Sequence, residues 1–269
     1  MGERAGTVLF SQWVELCRLR TLVLDRGDID SIHDLRVASR RLRSTSGLFE
    51  PIVEGVDVRD ILKQIRRVTR KLGRLRNVDE AIVYFGAWPG QFPVLTATLR
   101  TIRELEMKAV AAVLNRFPRP ALEREVREMV AALAAIPPDD PLLTVYFSET
   151  SIQRYQAVHD LLLPAMVPEN VEERHALRIA IKKWRYLLET LGQICRQDYS
   201  AALANLKGYQ TLLGSLNDLS EFGELCGSLD IPDDEHKAAG EFLSRDAATS
   251  LASFIETAAS RPPQYTFML

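Results

Sequence analysis

Apolar residues recur at helical spacing along nearly the whole chain, and no window sustains the apolar–polar alternation of a strand. In the first half the spacing predicts helices over residues 8–25, 29–50, 58–72, 78–87, 94–116 and 121–135. Gly27, Pro51, Gly73, the Pro89-Gly90 pair and Pro118 serve as stops. Beyond Pro137 the order repeats with helices at about 143–163, 170–195, 199–213, 219–228 and 234–259. The run PPDDP at 137–141 is the best linker candidate, and Arg261 to Leu269 reads as a loosely held tail. The pattern is that of an all-α protein with an internal duplication, its halves covering residues 8–136 and 142–260.

The repeat is clearest at residues 32–43, IHDLRVASRRLR, which return as RHALRIAIKKWR at 174–185. His33 matches His175, Arg36 matches Arg178, Arg40 matches Lys182, Arg41 matches Lys183 and Arg43 matches Arg185. At about 100° per residue, His33, Arg36, Arg40 and Arg43 fall within roughly 80° of one another on a helix. Leu35, Ala38, Leu42 and Phe49 fall on the opposite side, as do Leu177, Ala180, Trp184 and Leu191 in the second copy. Each copy is therefore a helix with an apolar back and a cationic stripe. A solvated helix face is the plain alternative. The single sign of the stripe, and its double occurrence with a His at the same end, argue instead for a polyanion partner.

The duplication continues past this helix. LGRLRNVDEA at 72–81 aligns with LGSLNDLSEF at 213–222, pairing Asn77 with Asp218 and Glu80 with Glu221. Asn-x-x-Glu and Asp-x-x-Glu read as capping boxes opening the short helices, with Gly73 and Gly214 ending the helices before them. The helix at 58–72 adds a second cationic stripe of Lys63, Arg66, Arg67, Arg70 and Arg74, whereas its counterpart at 199–213 keeps only Lys207. The first half is thus the more strongly charged.

A net charge of −2 argues by itself against a polyanion partner, but the distribution of charge points the other way. Residues 33–76 hold 12 Lys/Arg against 5 Asp/Glu, residues 174–214 hold 7 against 2, and 15 against 29 remain elsewhere. A basic face on an acidic body favours selectivity over general stickiness. No apolar run is long enough to span a membrane and no secretory leader is visible, so the expected location is the cytoplasm. Cys17, Cys195 and Cys226 are too widely spaced for a zinc site or a disulfide framework.

With HDLRVASRRLR and LGRLRNVD in one half, and HALRIAIKKWRY and LLGSLNDL in the other, the chain resembles the CHAD domain family (conserved histidine α-helical domain) over roughly residues 8–260. The resemblance implies two pseudo-symmetric four-helix bundles packed into one unit, with basic helices lining a shared surface. It also implies binding of inorganic polyphosphate and residence at polyphosphate granules. Carried over by position, the contacts would be His33, Arg36, Arg40 and Arg43 with His175, Arg178, Lys182 and Arg185. Lys63, Arg66, Arg70, Arg74 and Lys207 would extend the track, and Arg41 and Lys183 would flank it. The family usually has Arg-Asp after the first Leu-Gly; here it is Arg76-Asn77. Family members are often fused to a triphosphate tunnel domain marked by Glu-x-Glu-x-Lys on a strand. This chain has ELEMK at 104–108, but inside a helical pattern.

A polyphosphate binder needs spaced Arg and Lys, and phosphate or sulfate could occupy the same site. Each His either donates to phosphate or makes a structural hydrogen bond within the bundle. Nucleic acid is disfavoured because base-stacking aromatics are missing from the basic segments. A phosphohydrolase is disfavoured because no stripe places carboxylates among the cations to hold Mg²⁺, so neither catalysis nor a cofactor or metal is expected. The acidic remainder could serve as the face for a protein partner.

Overall fold

The computed structural model describes residues 1–137 and 140–267, and among them it contains nine α-helices and no strand. They are α1 (Gly2–Arg26), α2 (Ile29–Phe49), α3 (Arg59–Gly86), α4 (Pro93–Asn115), α5 (Arg119–Ala135), α6 (Pro141–Ala165), α7 (Val171–Cys195), α8 (Ser200–Gly227) and α9 (Asp233–Ser260). Consecutive helices pack in the order α1–α2–α3–α4 and again α6–α7–α8–α9, while α5 folds back onto α1. The first series meets the second where α2 packs on α7 and α3 on α8.

Two apolar clusters lie along this arrangement. The larger gathers Leu9, Trp13, Leu35, Leu42 and Ile65 with Leu177, Trp184, Leu191, Leu213 and Phe254. The smaller, at the far end of α3, joins Val78, Phe85, Phe92 and Leu99 to Leu219, Phe222, Cys226 and Leu243. Both clusters draw on both halves of the chain.

Two expected helix stops do not operate. Residues 59–86 form one helix through Gly73, and 200–227 form one through Gly214. The reason is the apolar stripe of α3: Ile61, Ile65, Val68, Leu72, Leu75, Val78 and Phe85 are all buried, so the helix runs from the larger cluster into the smaller. Burial of these side chains, at about 1.5–3 kcal/mol each, outweighs the roughly 1 kcal/mol that an interior Gly costs. Asn77 and Asp218 therefore sit mid-helix, and the capping-box reading fails for both.

α1 begins earlier than expected, at Gly2, because it packs along α5; a Cβ on Gly2 would overlap the Leu133 carbonyl. It ends as expected, at Gly27, which takes a left-handed φ of 61°. Of the linker candidate, Pro138 and Asp139 lie outside the described residues, and Asp140 caps α6 by accepting from the Leu142 amide at 2.9 Å. The tail packs rather than hanging loose. The Arg261 carbonyl accepts from the Tyr209 hydroxyl at 3.1 Å, Pro263 is buried, and the Tyr265 ring lies 5.2 Å from that of Tyr155. Met268 and Leu269 lie outside the described residues. The ELEMK segment is helical, within α4, and Glu106 pairs with Lys71 at 3.8 Å. No helix among the described residues is long and apolar enough to cross a membrane.

Candidate functional site

α2 starts where Asp28 accepts from the Ser31 amide at 2.7 Å, and Leu35, Ala38, Leu42 and Phe49 anchor its apolar back in the core. α7 does the same with Leu177, Ala180, Trp184 and Leu191. The two helices are pinned within the core by a Thr45–Thr190 hydroxyl contact of 3.4 Å. Thr69 of α3 donates to Ser39 of α2 at 3.0 Å, and Tyr146 of α6 donates to the Leu48 carbonyl at 2.7 Å. These bonds fix α2, α3, α6 and α7 around one cleft of about 500 Å³.

Seven cationic side chains line it: Arg36, Arg40 and Arg43 from α2, Arg178, Lys182 and Lys183 from α7, and Arg154 from α6. Among the described residues that line the cleft there is no Asp or Glu. The Arg36 guanidinium makes no hydrogen bond or ion pair with any described residue, and its Nε is buried. Burial lowers the Arg36 pKa to about 10, helped by Arg40, Arg76 and Arg178. Burial also lowers Arg178 and Arg43, the latter crowded further by Arg40 and Arg66. Lys182 is only 8% exposed, and burial together with Arg40, Arg178 and Arg36 pushes its pKa down to about 6. The Tyr186 ring lies directly beneath the arginines, with Arg40 at 5.6 Å and Arg185 at 5.4 Å from its centre.

The cleft ends in a polar network at α8. Arg178 Nη1 donates to Asn217 Oδ1 at 3.1 Å, and His175 Nδ1 lies 3.0 Å from the same oxygen. Asn217 Nδ2 donates to Glu221 at 2.7 Å, which leaves Oδ1 as the acceptor and makes His175 the donor through Nδ1. Asp218 is held by Arg76 at 3.3 Å and lies 4.0 Å from Arg178.

The remaining expected site residues are placed differently. His33 is exposed near the start of α2, outside the cleft lining, and His175 is exposed but held by Asn217. Lys63, Arg66, Arg70 and Arg74 form an exposed row on α3 without an ion pair among the described residues, and Arg66 adjoins the cleft through Arg43. Lys207 is exposed on α8, outside the cleft lining. Arg41 turns the other way, pairing with Glu189 at 3.5 Å, and Arg185 pairs with the same carboxylate at 3.0 Å. Arg76, Arg154, Tyr186 and Asn217 belong to the site or its rim without standing out in the sequence. For Arg76 and Asn217 the available signal is the alignment of Arg76-Asn77 with Asn217-Asp218, which reads as a pair of capping boxes while the helices are taken to break there. Among the described residues, no group of three or more His, Cys, Asp or Glu side chains could hold a metal ion.

The cleft between α2 and α7 is lined by cations, with no carboxylate among its described lining residues, a setting whose charge is suited to anions. The family model of the CHAD domain matches residues 7–226, and the chain belongs to that family. The crystal structure of the CHAD domain from the plant Ricinus communis shares the fold at a TM-score of 0.72 and 22% identity, over 98% of this chain and 89% of that one. PptA from Streptomyces chartreusis is similar at a TM-score of 0.59 and 16% identity, over 97% of this chain and 99% of that one. No curated protein matches the sequence.

Proposed function

We propose that the protein binds inorganic polyphosphate without transforming it, and that binding holds it at polyphosphate granules. The observation that carries this reading is the accumulation of cations in the cleft, with no carboxylate among the described lining residues to neutralise them. Such a site is incomplete without an anion. A flexible chain carrying about one negative charge per phosphate supplies several charges to one cleft, and guanidinium forks match its oxygens. The exposed row Lys63, Arg66, Arg70 and Arg74 offers a continuation from Arg43 along α3. Membership of the CHAD family, with which polyphosphate binding is associated, supports the same ligand. Tyr186 is buried under two arginines, so it is not an open ring for stacking a base.

The test is a titration of long-chain polyphosphate, tripolyphosphate and charge-matched single-stranded DNA across a salt series. The wild type is compared with a variant carrying Ala at 36, 40, 178 and 182, and with Arg41→Ala. The expected result is tight, salt-sensitive binding of long polyphosphate, lost in the fourfold variant at unchanged helicity and retained in Arg41→Ala. Equal binding of DNA would reduce the site to a general polyanion surface, and binding of none of the three would refute the reading.

A further inference from the structure

Trp184 stands on the apolar back of α7, away from the cation-lined cleft, and lines a second cavity of about 310 Å³. Asn205 and Leu206 of α8 form another wall, and residues 261–264 of the tail close over them. No described residue lines both this cavity and the cleft. Trp184 is only 1% exposed, and its indole Nε1 is buried without a hydrogen-bond partner among the described residues. The Tyr155 ring meets the indole edge-on at 5.2 Å and holds its plane. Asn205 adds a complementary orphan. Its Nδ2 donates to the Arg261 carbonyl at 3.3 Å, which fixes the orientation of the amide and leaves the buried Oδ1 unpartnered. A buried indole N–H and a buried amide oxygen each ordinarily find a partner. Liquid water takes about 30 Å³ per molecule, so the space is several times larger than one bridging water needs.

We propose that this cavity binds a small neutral molecule carrying one carboxamide, as a primary amide or a lactam, on an apolar body. The ligand's amide oxygen accepts from Trp184 Nε1 while its N–H donates to Asn205 Oδ1, so one group meets both orphans. A carboxylate only accepts, and would set its lone pairs against Asn205 Oδ1. An ammonium only donates, and would leave the indole N–H unmet. Neither charge would find a buried partner, since the one charged residue in the described lining, Arg261, is exposed. Ala201, Ala202, Leu206, Pro262 and Pro263 supply apolar wall for the body of the ligand. The site is independent of the polyphosphate reading.

The experiment titrates the full ¹⁵N-labelled chain with benzamide, benzyl alcohol, benzoate and benzylamine, and follows the indole N–H signals of its three tryptophans. Single Trp→Phe variants at 13, 88 and 184 assign the signals, any two of them sufficing. Benzamide is expected to shift the Trp184 signal alone, saturably and downfield, as an indole N–H gaining an acceptor does. Benzoate and benzylamine should bind about tenfold more weakly, the factor that one net hydrogen bond contributes. Benzyl alcohol binding as tightly as benzamide would overturn the amide assignment. No saturable shift with any of the four would overturn the site and leave only water in the space. Asn205→Leu should lose benzamide affinity by about tenfold. Tyr209 also holds the tail, its hydroxyl donating to the Arg261 carbonyl at 3.1 Å, but it does not line the cavity. Tyr209→Phe should therefore leave benzamide binding nearly unchanged. Equal losses in the two variants would show that seating of the tail, not the Asn205 oxygen, sets the affinity, and would overturn the proposal.

Discussion

Arg76 on α3 grips Asp218 on α8 through both guanidinium ends, at 3.3 Å to Oδ1 and 3.4 Å to Oδ2. The carboxylate it occupies is also the one that faces Arg178 and Lys182. The pair thus ties α3 to α8 while withdrawing negative charge from the cleft. Asp218→Asn keeps the shape and removes that charge, so polyphosphate affinity should rise, by about threefold on the scale of one partly screened charge. The same change leaves Arg76 with only Glu80, at 3.1 Å, among the described carboxylates, and stability should fall. Because both side chains keep some solvent contact, the loss should be about 1–2 kcal/mol, below that for a fully buried pair. Titration of polyphosphate and denaturant unfolding of the same variant check the two opposite signs together.

The depressed Lys182 has a pH signature. Its pKa in the unliganded fold is about 6, against about 10.4 in an unfolded chain, so between those values the unfolded chain holds a proton that the fold does not. Stability from this group therefore rises with pH across that window, while below pH 6 its full penalty persists. A bound polyanion favours the protonated amine. Binding near pH 7 should take up as much as one proton, and affinity should fall as pH rises from 6 to 8. Calorimetric titration in two buffers of different ionisation enthalpy reads the proton directly, and Lys182→Met should abolish the uptake.

Gly73 lies inside α3, and a Cβ placed on it would meet nothing nearer than Arg36 Nε at 3.9 Å, an ordinary contact. Gly73→Ala should therefore stabilise the protein, by about 0.5–1 kcal/mol, as for an interior helical position. Were residue 73 a helix terminus in the left-handed region, Ala would destabilise instead. Thermal unfolding of this one variant separates the two.

The sequence made legible every feature that depends on one helix alone. The apolar backs of α2 and α7, the cationic stripes and the helical character of ELEMK are all periodicity within a single element. What was not legible depends on how helices meet. Gly73 reads as a stop until the second apolar cluster is seen to need α3 beyond it. Arg41 and Lys183 occupy matching positions, yet Lys183 lines the cleft and Arg41 turns toward Glu189, a choice made by the neighbouring helix. Arg154 lies outside both motifs and enters the site only because α6 packs beside α7. Asn217 could not be known as the partner of His175 and Arg178 before α8 was placed.

Shared clusters also bear on how the chain is made. Leu9 and Trp13, near the beginning, lie in the same apolar cluster as Phe254 and Ala258, more than 240 residues later. A chain that has emerged from the ribosome only through α5 has α1, α2 and α3 in hand, but not α7 and α8, which pack against them. Residues 1–136 expressed alone should accordingly be insoluble or chaperone-bound, and recover solubility when residues 137–269 are co-expressed. Independent folding of the first fragment would contradict this. During synthesis, then, the faces of α1, α2 and α3 that pack on α7 and α8 stay open to water until those later helices arrive.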